Sequence, residues 1–149
     1  MKEIDINKTA KNVDNFFKNK IQIYLARAGE QTYELDKPQS ISTAVNVDDE
    51  LIRNYQVKLV AISNCLSDLT QDTRHPYQKI LKGLYIKGLK PSEIQIRIGY
   101  SPSRYRDFKR QALNEFANRL IYWDAKFKAN LPVLLIYKEN KSSEQDGTC

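Results

Sequence analysis

The sequence predicts an all-α fold, and three observations carry that reading. Apolar residues recur at steps of three and four along most of the 149 residues, the spacing of one helix face, and seldom at steps of two. Five glycines and five prolines are too few for a linker-rich or collagen-like chain. A hydrophobic content of 41% supplies a modest core, enough for one ordinary domain and an appendage.

Asn7 or Thr9 is placed to cap a first helix, whose apolar positions are Ala10, Val13, Phe17, Ile21, Tyr24 and Ala28. Gly29 stops it. Lys8, Lys11, Asn15, Lys18 and Asn19 occupy the other face, so the helix is amphipathic and needs an apolar partner. From Glu30 to Val47 the helical period is lost and no apolar cluster appears, which marks a linker that leaves the first helix as an arm.

A second long helix is expected after Asn46, with Asp48, Asp49 and Glu50 at the positive end of its dipole. Ile52, Tyr55, Leu59, Ile62, Leu66 and Leu69 form a heptad-like seam. Three repeats without matched flanking charges suit packing within the chain better than self-association, although a homo-oligomer is the second reading. Pro76 opens a third helix bearing Tyr77, Ile80, Leu81, Leu84 and Tyr85, and Gly88 closes it.

Lys90-Pro91-Ser92 then opens a helix with Ile94 and Ile98 on one face. Gly99 breaks it. Ser101 and Pro102 mark the start of another, since a hydroxyl accepts an orphan backbone N–H there and proline suits the first turn. Together these make a helix-turn-helix. The second helix continues one stripe through Tyr105, Phe108, Ala112, Phe116, Leu120, Trp123 and Phe127, with no breaker before Pro132. Only its first turns fit a groove, and Trp123 and Phe127 are expected to pack on the N-terminal helix or on a partner. Val133 to Tyr137 reads as a strand or docking segment, and the end of the chain as a disordered tail. The expected division is 1–29 arm, 30–47 linker, 48–130 helix-turn-helix domain, and 131–149 apolar segment and tail.

Charge is concentrated on the motif. Of the net +6, residues 74–130 carry 13 Lys/Arg against 4 Asp/Glu, whereas residues 1–73 carry 9 against 11. That concentration is the electrostatic footprint of a nucleic-acid binder, with a solvated basic face as the plainer alternative. No run is long and apolar enough for a membrane span or a secretory signal, which predicts a cytoplasmic protein with no membrane partner. Cys65 reads as a core residue and Cys149 as incidental, while His75 precedes a proline with no second ligand at metal spacing. There is no phosphate loop, nucleophile elbow or zinc motif, so neither an enzyme nor a metal or cofactor is expected.

At 100° per residue the stripe of the motif's second helix leaves Ser103, Asp107, Arg110 and Asn114 opposite, with Arg104, Arg106 and Gln111 on the flanks. Ser103, Arg106, Asp107 and Arg110 are the candidates for reading bases: Arg106 by forking onto a guanine, Asp107 by accepting from a cytosine amine or by pairing with Arg104 or Arg110 instead. Lys90, Ser92, Arg97, Ser101, Arg104 and Lys109 are the candidates for holding phosphates.

The stretch Pro76-Tyr77-Gln78-Lys79-Ile80-Leu81, then Leu84 to Leu89, Glu93-Ile94, Ile98-Gly99-Tyr100-Ser101 and Tyr105 to Leu113 resembles the C-terminal domain of the ArpU family. So do Lys11-Asn12-Val13 with Phe16-Phe17, and Leu134-Leu135-Ile136-Tyr137-Lys138. These are phage and prophage regulators of late transcription in Gram-positive bacteria. Residues 48–120 are also similar to sigma region 4, a four-helix promoter-reading domain, whose base and phosphate positions fall on Pro102, Ser103, Arg104, Arg106 and Asp107. Pro102 and Ser103 depart from the charged pair of primary sigma factors, and the other promoter-reading domains have no counterpart. The resemblance therefore implies an activator of packaging and lysis genes with its own operator, binding double-stranded DNA and contacting RNA polymerase in a bacterial host cell. The rivals are a small terminase-like or recombination accessory protein, and an interaction regulator that has lost DNA binding.

Overall fold

The computed structural model describes residues 2–41 and 49–139, and it is mostly helical with no strand among them. The first helix runs as α1 (Ile6–Asn15), a wider π-turn over Phe16–Lys20, and α2 (Ile21–Ala28). Its cap is Asp5 rather than Asn7 or Thr9: the Asp5 carboxylate accepts the Lys8 N–H at 2.9 Å, which starts the helix earlier. Phe16 and Phe17 are both buried at the start of the π-turn, which inserts an extra residue into the period, and beyond it Leu25 joins the expected core positions. Gly29 closes the helix at φ +73°, a left-handed conformation in which a side chain would be strained.

A 3-10 turn, Thr32–Asp36, follows and buries Leu35 completely. The connection is thus anchored to the core through Leu35, where the sequence shows no apolar cluster. Residues 42–47 of the expected linker, and residue 48 at the expected start of the next domain, lie outside the described residues, as does the chain from residue 140 onward, within the expected tail. Next comes α3 (Glu50–Asp68), capped by Asp49, whose carboxylate accepts from Leu51 and Ile52. Leu59, Ile62, Leu66 and Leu69 of its seam are buried, and the helix packs between α2 and the long last helix.

Three shorter steps lead to that helix. α4 (Tyr77–Leu81) runs on through a second π-turn, Lys82–Ile86, and Gly88 turns the chain at φ +66°. α5 (Pro91–Ile98) ends at Gly99, φ +74°. α6 (Pro102–Phe127) spans 26 residues, about 39 Å at 1.5 Å per residue. It stops before Pro132 because Lys128 itself takes a left-handed φ of 52°, held where Lys58 donates to the carbonyls of Ala129 and Asn130.

One continuous core joins all of these. Phe17 packs against Phe116 at 4.8 Å between ring centres and stacks on Tyr85 at 4.4 Å. The first helix, expected to stand off as an arm, shares the core of the helix-turn-helix, because a face this apolar finds its partner on α6. At the end of α6 Trp123 meets Asp68 at the end of α3, its indole N–H donating at 3.1 Å, and stacks on Phe127. The segment around Leu134 to Lys138 is extended and straps the first helix. Asp5 N–H donates to the Ile136 carbonyl at 2.7 Å, and the buried Thr9 hydroxyl accepts the Ile136 N–H at 2.9 Å. No helix among the described residues is long and apolar enough to cross a membrane.

Candidate nucleic-acid interface

The turn between α5 and α6 is fixed from both sides. Ser101 caps α6 by accepting the Arg104 N–H at 3.3 Å, and Pro102 occupies the first helical position. Glu93 caps α5 by accepting the Lys90 N–H at 3.3 Å. Tyr100, inside the turn, donates its hydroxyl to the Thr73 carbonyl at 2.7 Å and sets its ring edge-on to Phe108, 4.8 Å away. The start of α6 is therefore held against the loop before α4. Beneath the motif, α4 and α5 approach so closely that a Cβ on Gly83 would lie 3.1 Å from Ile94 Cδ1.

Burial divides α6 along its length. Tyr105, Phe108, Ala112 and Phe116 form the buried side, while Ser103, Arg104, Arg106 and Arg110 are exposed and Asp107 and Lys109 half-buried. The two flanks of the exposed part face different neighbours. On one, Gln111 accepts a hydrogen bond from the Tyr77 hydroxyl of α4. On the other, Arg110 reaches Asn7 at 3.5 Å and Asn114 donates to the Ile6 carbonyl at 3.0 Å, so the start of α1 lies across the helix.

This geometry brings most of the expected residues together. Ser103, Arg104 and Arg106 crowd the first turn and a half of α6, with Ser101 at its cap, and Lys90 and Ser92 stand exposed at the start of α5. Among the described residues Arg104, Arg106 and Lys109 have no ion-pair partner. Asp107 and Arg110 differ: they pair with each other at 3.0 Å, the local alternative that helical spacing allowed for Asp107. Asn114 is spent on the Ile6 and Arg110 carbonyls and is not free to read a base. Arg97 opens instead into a cleft of about 550 Å³ between α4 and α5, with Lys79, Lys82 and Lys87 on its walls and Leu89 and Ile94 on its floor.

Behind the motif sits a partly buried polar clamp. Tyr85 donates its hydroxyl to Asp14, which also pairs with Lys18 at 2.9 Å. Burial alone would raise the Asp14 carboxyl. The Tyr85 and Lys18 hydrogen bonds, with the charges of Lys18 and Lys109, outweigh it and hold the group below the usual carboxylate range. Burial, then the hydrogen bond and charge of Asp14, push the Tyr85 hydroxyl far above the usual phenol range. Nothing local in the sequence pointed to Ile6, Asn7 or Asp14 as neighbours of the motif, because those contacts join residues 71 to 108 positions apart.

What fold and site define is an all-helical bundle that presents the start of a helix-turn-helix second helix at a basic surface. Comparison of the chain with known protein families, characterised proteins and solved structures gives no match.

Proposed function

We propose that the protein is a sequence-specific regulator of transcription that binds double-stranded DNA, with the first two turns of α6 in the major groove. One observation carries the reading: Arg104 and Arg106 are exposed on those turns without ion-pair partners among the described residues, on a helix end capped by Ser101. Lone cations so placed cost little to keep in water and gain most when they displace counterions from phosphate. Arg106 and Ser103 read base edges, while Lys90, Ser92 and Arg104 set the register on the backbone. Asp107 is neutralised by its pair with Arg110, so it does not repel the phosphates beside the helix.

The resemblance to the ArpU family extends this to activation of phage late genes, the packaging and lysis operons, with RNA polymerase as a second partner. Footprinting on DNA of the genome that encodes the chain tests both levels. Protection upstream of a late operon supports the activator; protection at a packaging site moves the function to a small terminase-like protein. Absence of protection anywhere, with salt-independent binding, leaves a protein partner instead.

A further inference from the structure

The first helix has an unassigned flank. At 100° per residue Asn7, Lys11, Asp14 and Lys18 share one side of it, away from the strap that covers Asn12. Two of these four fix the direction of that side. Asn7 is at Arg110, and Asp14 lies against Tyr85 within the field of Lys109, so Lys11, between them, stands beside the Lys109–Arg110 turn of α6. Lys11 is exposed and has no ion-pair partner among the described residues. Lys18 pairs with Asp14 but remains 63% exposed, with donors to spare on its ammonium group.

The crossing point matters as much as the charge. Between Pro102 and Arg110, where α1 crosses, α6 extends roughly 12 Å at 1.5 Å per residue. A major groove is about 12 Å wide and 8.5 Å deep. A helix inserted up to that point brings the crossing α1 onto the sugar-phosphate ridge that bounds the groove. Resting on the DNA-binding reading above, we infer that α1 is the second half of the interface, with Lys11 and Lys18 holding backbone phosphates on the strand beside the one met by Lys90 and Ser92. Its contribution is to affinity and insertion depth and not to sequence, since neither lysine reaches a base edge from there.

A salt titration of binding to a fluorescein-labelled random-sequence duplex, followed by anisotropy, tests this. Each phosphate contact contributes about 0.9 to the slope of log K against log salt. Lys11→Gln, which leaves the Lys18 pair with Asp14 intact, is expected to lower the slope by about one, and Lys11→Gln with Lys18→Gln by about two. Lys37→Gln, at an exposed lysine of the connection after α2, leaves it unchanged. Wild-type binding with an unaltered slope in the double variant overturns the role of α1 and spares the DNA-binding reading. Wild-type protein that binds no duplex at low salt overturns both.

Discussion

The side-chain amide of Asn114 donates to the main-chain carbonyl of Ile6 at 3.0 Å, joining the middle of the motif's second helix to the first turn of the chain. With the Phe17 ring between Tyr85 and Phe116, this makes the position of α6 depend on residues more than sixty positions earlier. The surface proposed to meet DNA is a property of the whole bundle.

A single cooperative unit follows from that contact. Phe17 and Phe116 are 2% and 0% exposed, and truncating either to alanine is expected to cost about 3–5 kcal/mol, the range for a buried phenylalanine. In urea, Phe17→Ala should shift the unfolding midpoints seen by circular dichroism and by Trp123 fluorescence together. If the first helix unfolded separately, circular dichroism would show an early phase that Trp123 does not follow.

The parts of this design that were legible in the sequence are those set by local rules. Gly99, Ser101 and Pro102 each act within a turn of where they stand, and the stripe from Tyr105 to Leu120 needs only a helical period to be read. Illegible parts have long-range causes. Leu25 falls off the ideal stripe and joins the core beyond the π-turn, which re-phases the helix. Thr9 is a poor core residue by composition; the Ile136 backbone, 127 positions away, satisfies its hydroxyl. Of the site residues, the exposure of Ser103 and Arg106 follows from the period, whereas the placement of Arg97 in a separate cleft follows from how α5 sits on α4.

Asp14 links stability to pH. Its folded pKa lies below the usual range, so the unfolded chain binds the proton more readily, and the contribution is full above that range and lost as pH falls through it. Asp14→Asn is expected to cost about 1.5–3 kcal/mol near neutral pH, the scale of hydrogen bonds to a charged group. The gap between variant and wild type should narrow as pH falls below the usual carboxylate range and close only once pH has passed the lowered pKa of the folded group, where the wild-type carboxylate takes up its proton. A gap that stays constant on acidification would assign the loss to packing instead.

Trp123 is the sole tryptophan and reports on the far end of α6. Asp68 accepts from its indole at 3.1 Å and from Arg119 at 3.2 Å, both partly exposed to water. Asp68→Ala is expected to shift the Trp123 emission to longer wavelength at a cost of only about 1 kcal/mol, as for half-exposed polar contacts. Wild-type emission independent of protein concentration would place the indole's packing within the chain. A shift on dilution would place it in an interface between copies.

The residues proposed to face the groove divide by what each substitution changes. Arg106→Ala removes a fork that can bond two acceptors of one guanine, so discrimination among operator variants should fall by about 1–3 kcal/mol at one base pair. Ser103→Ala, a single hydrogen-bonding group beside it, should relax preference at a neighbouring base pair by about 1 kcal/mol. Lys90→Ala, at the exposed start of α5, should weaken specific and random duplexes alike and lower the salt slope by about one. Competition binding against single-base variants of a footprinted site separates the three. Arg110→Ala belongs to a fourth pattern: it frees Asp107 from its 3.0 Å partner, so an uncompensated carboxylate faces the groove and affinity falls for every sequence. The double variant Arg110→Ala with Asp107→Asn should recover most of that loss, because it removes the repulsion along with the pair. Equal losses on specific and random duplexes for Arg106→Ala, Ser103→Ala and Lys90→Ala would remove the base-reading role from α6 and leave it a phosphate-binding helix.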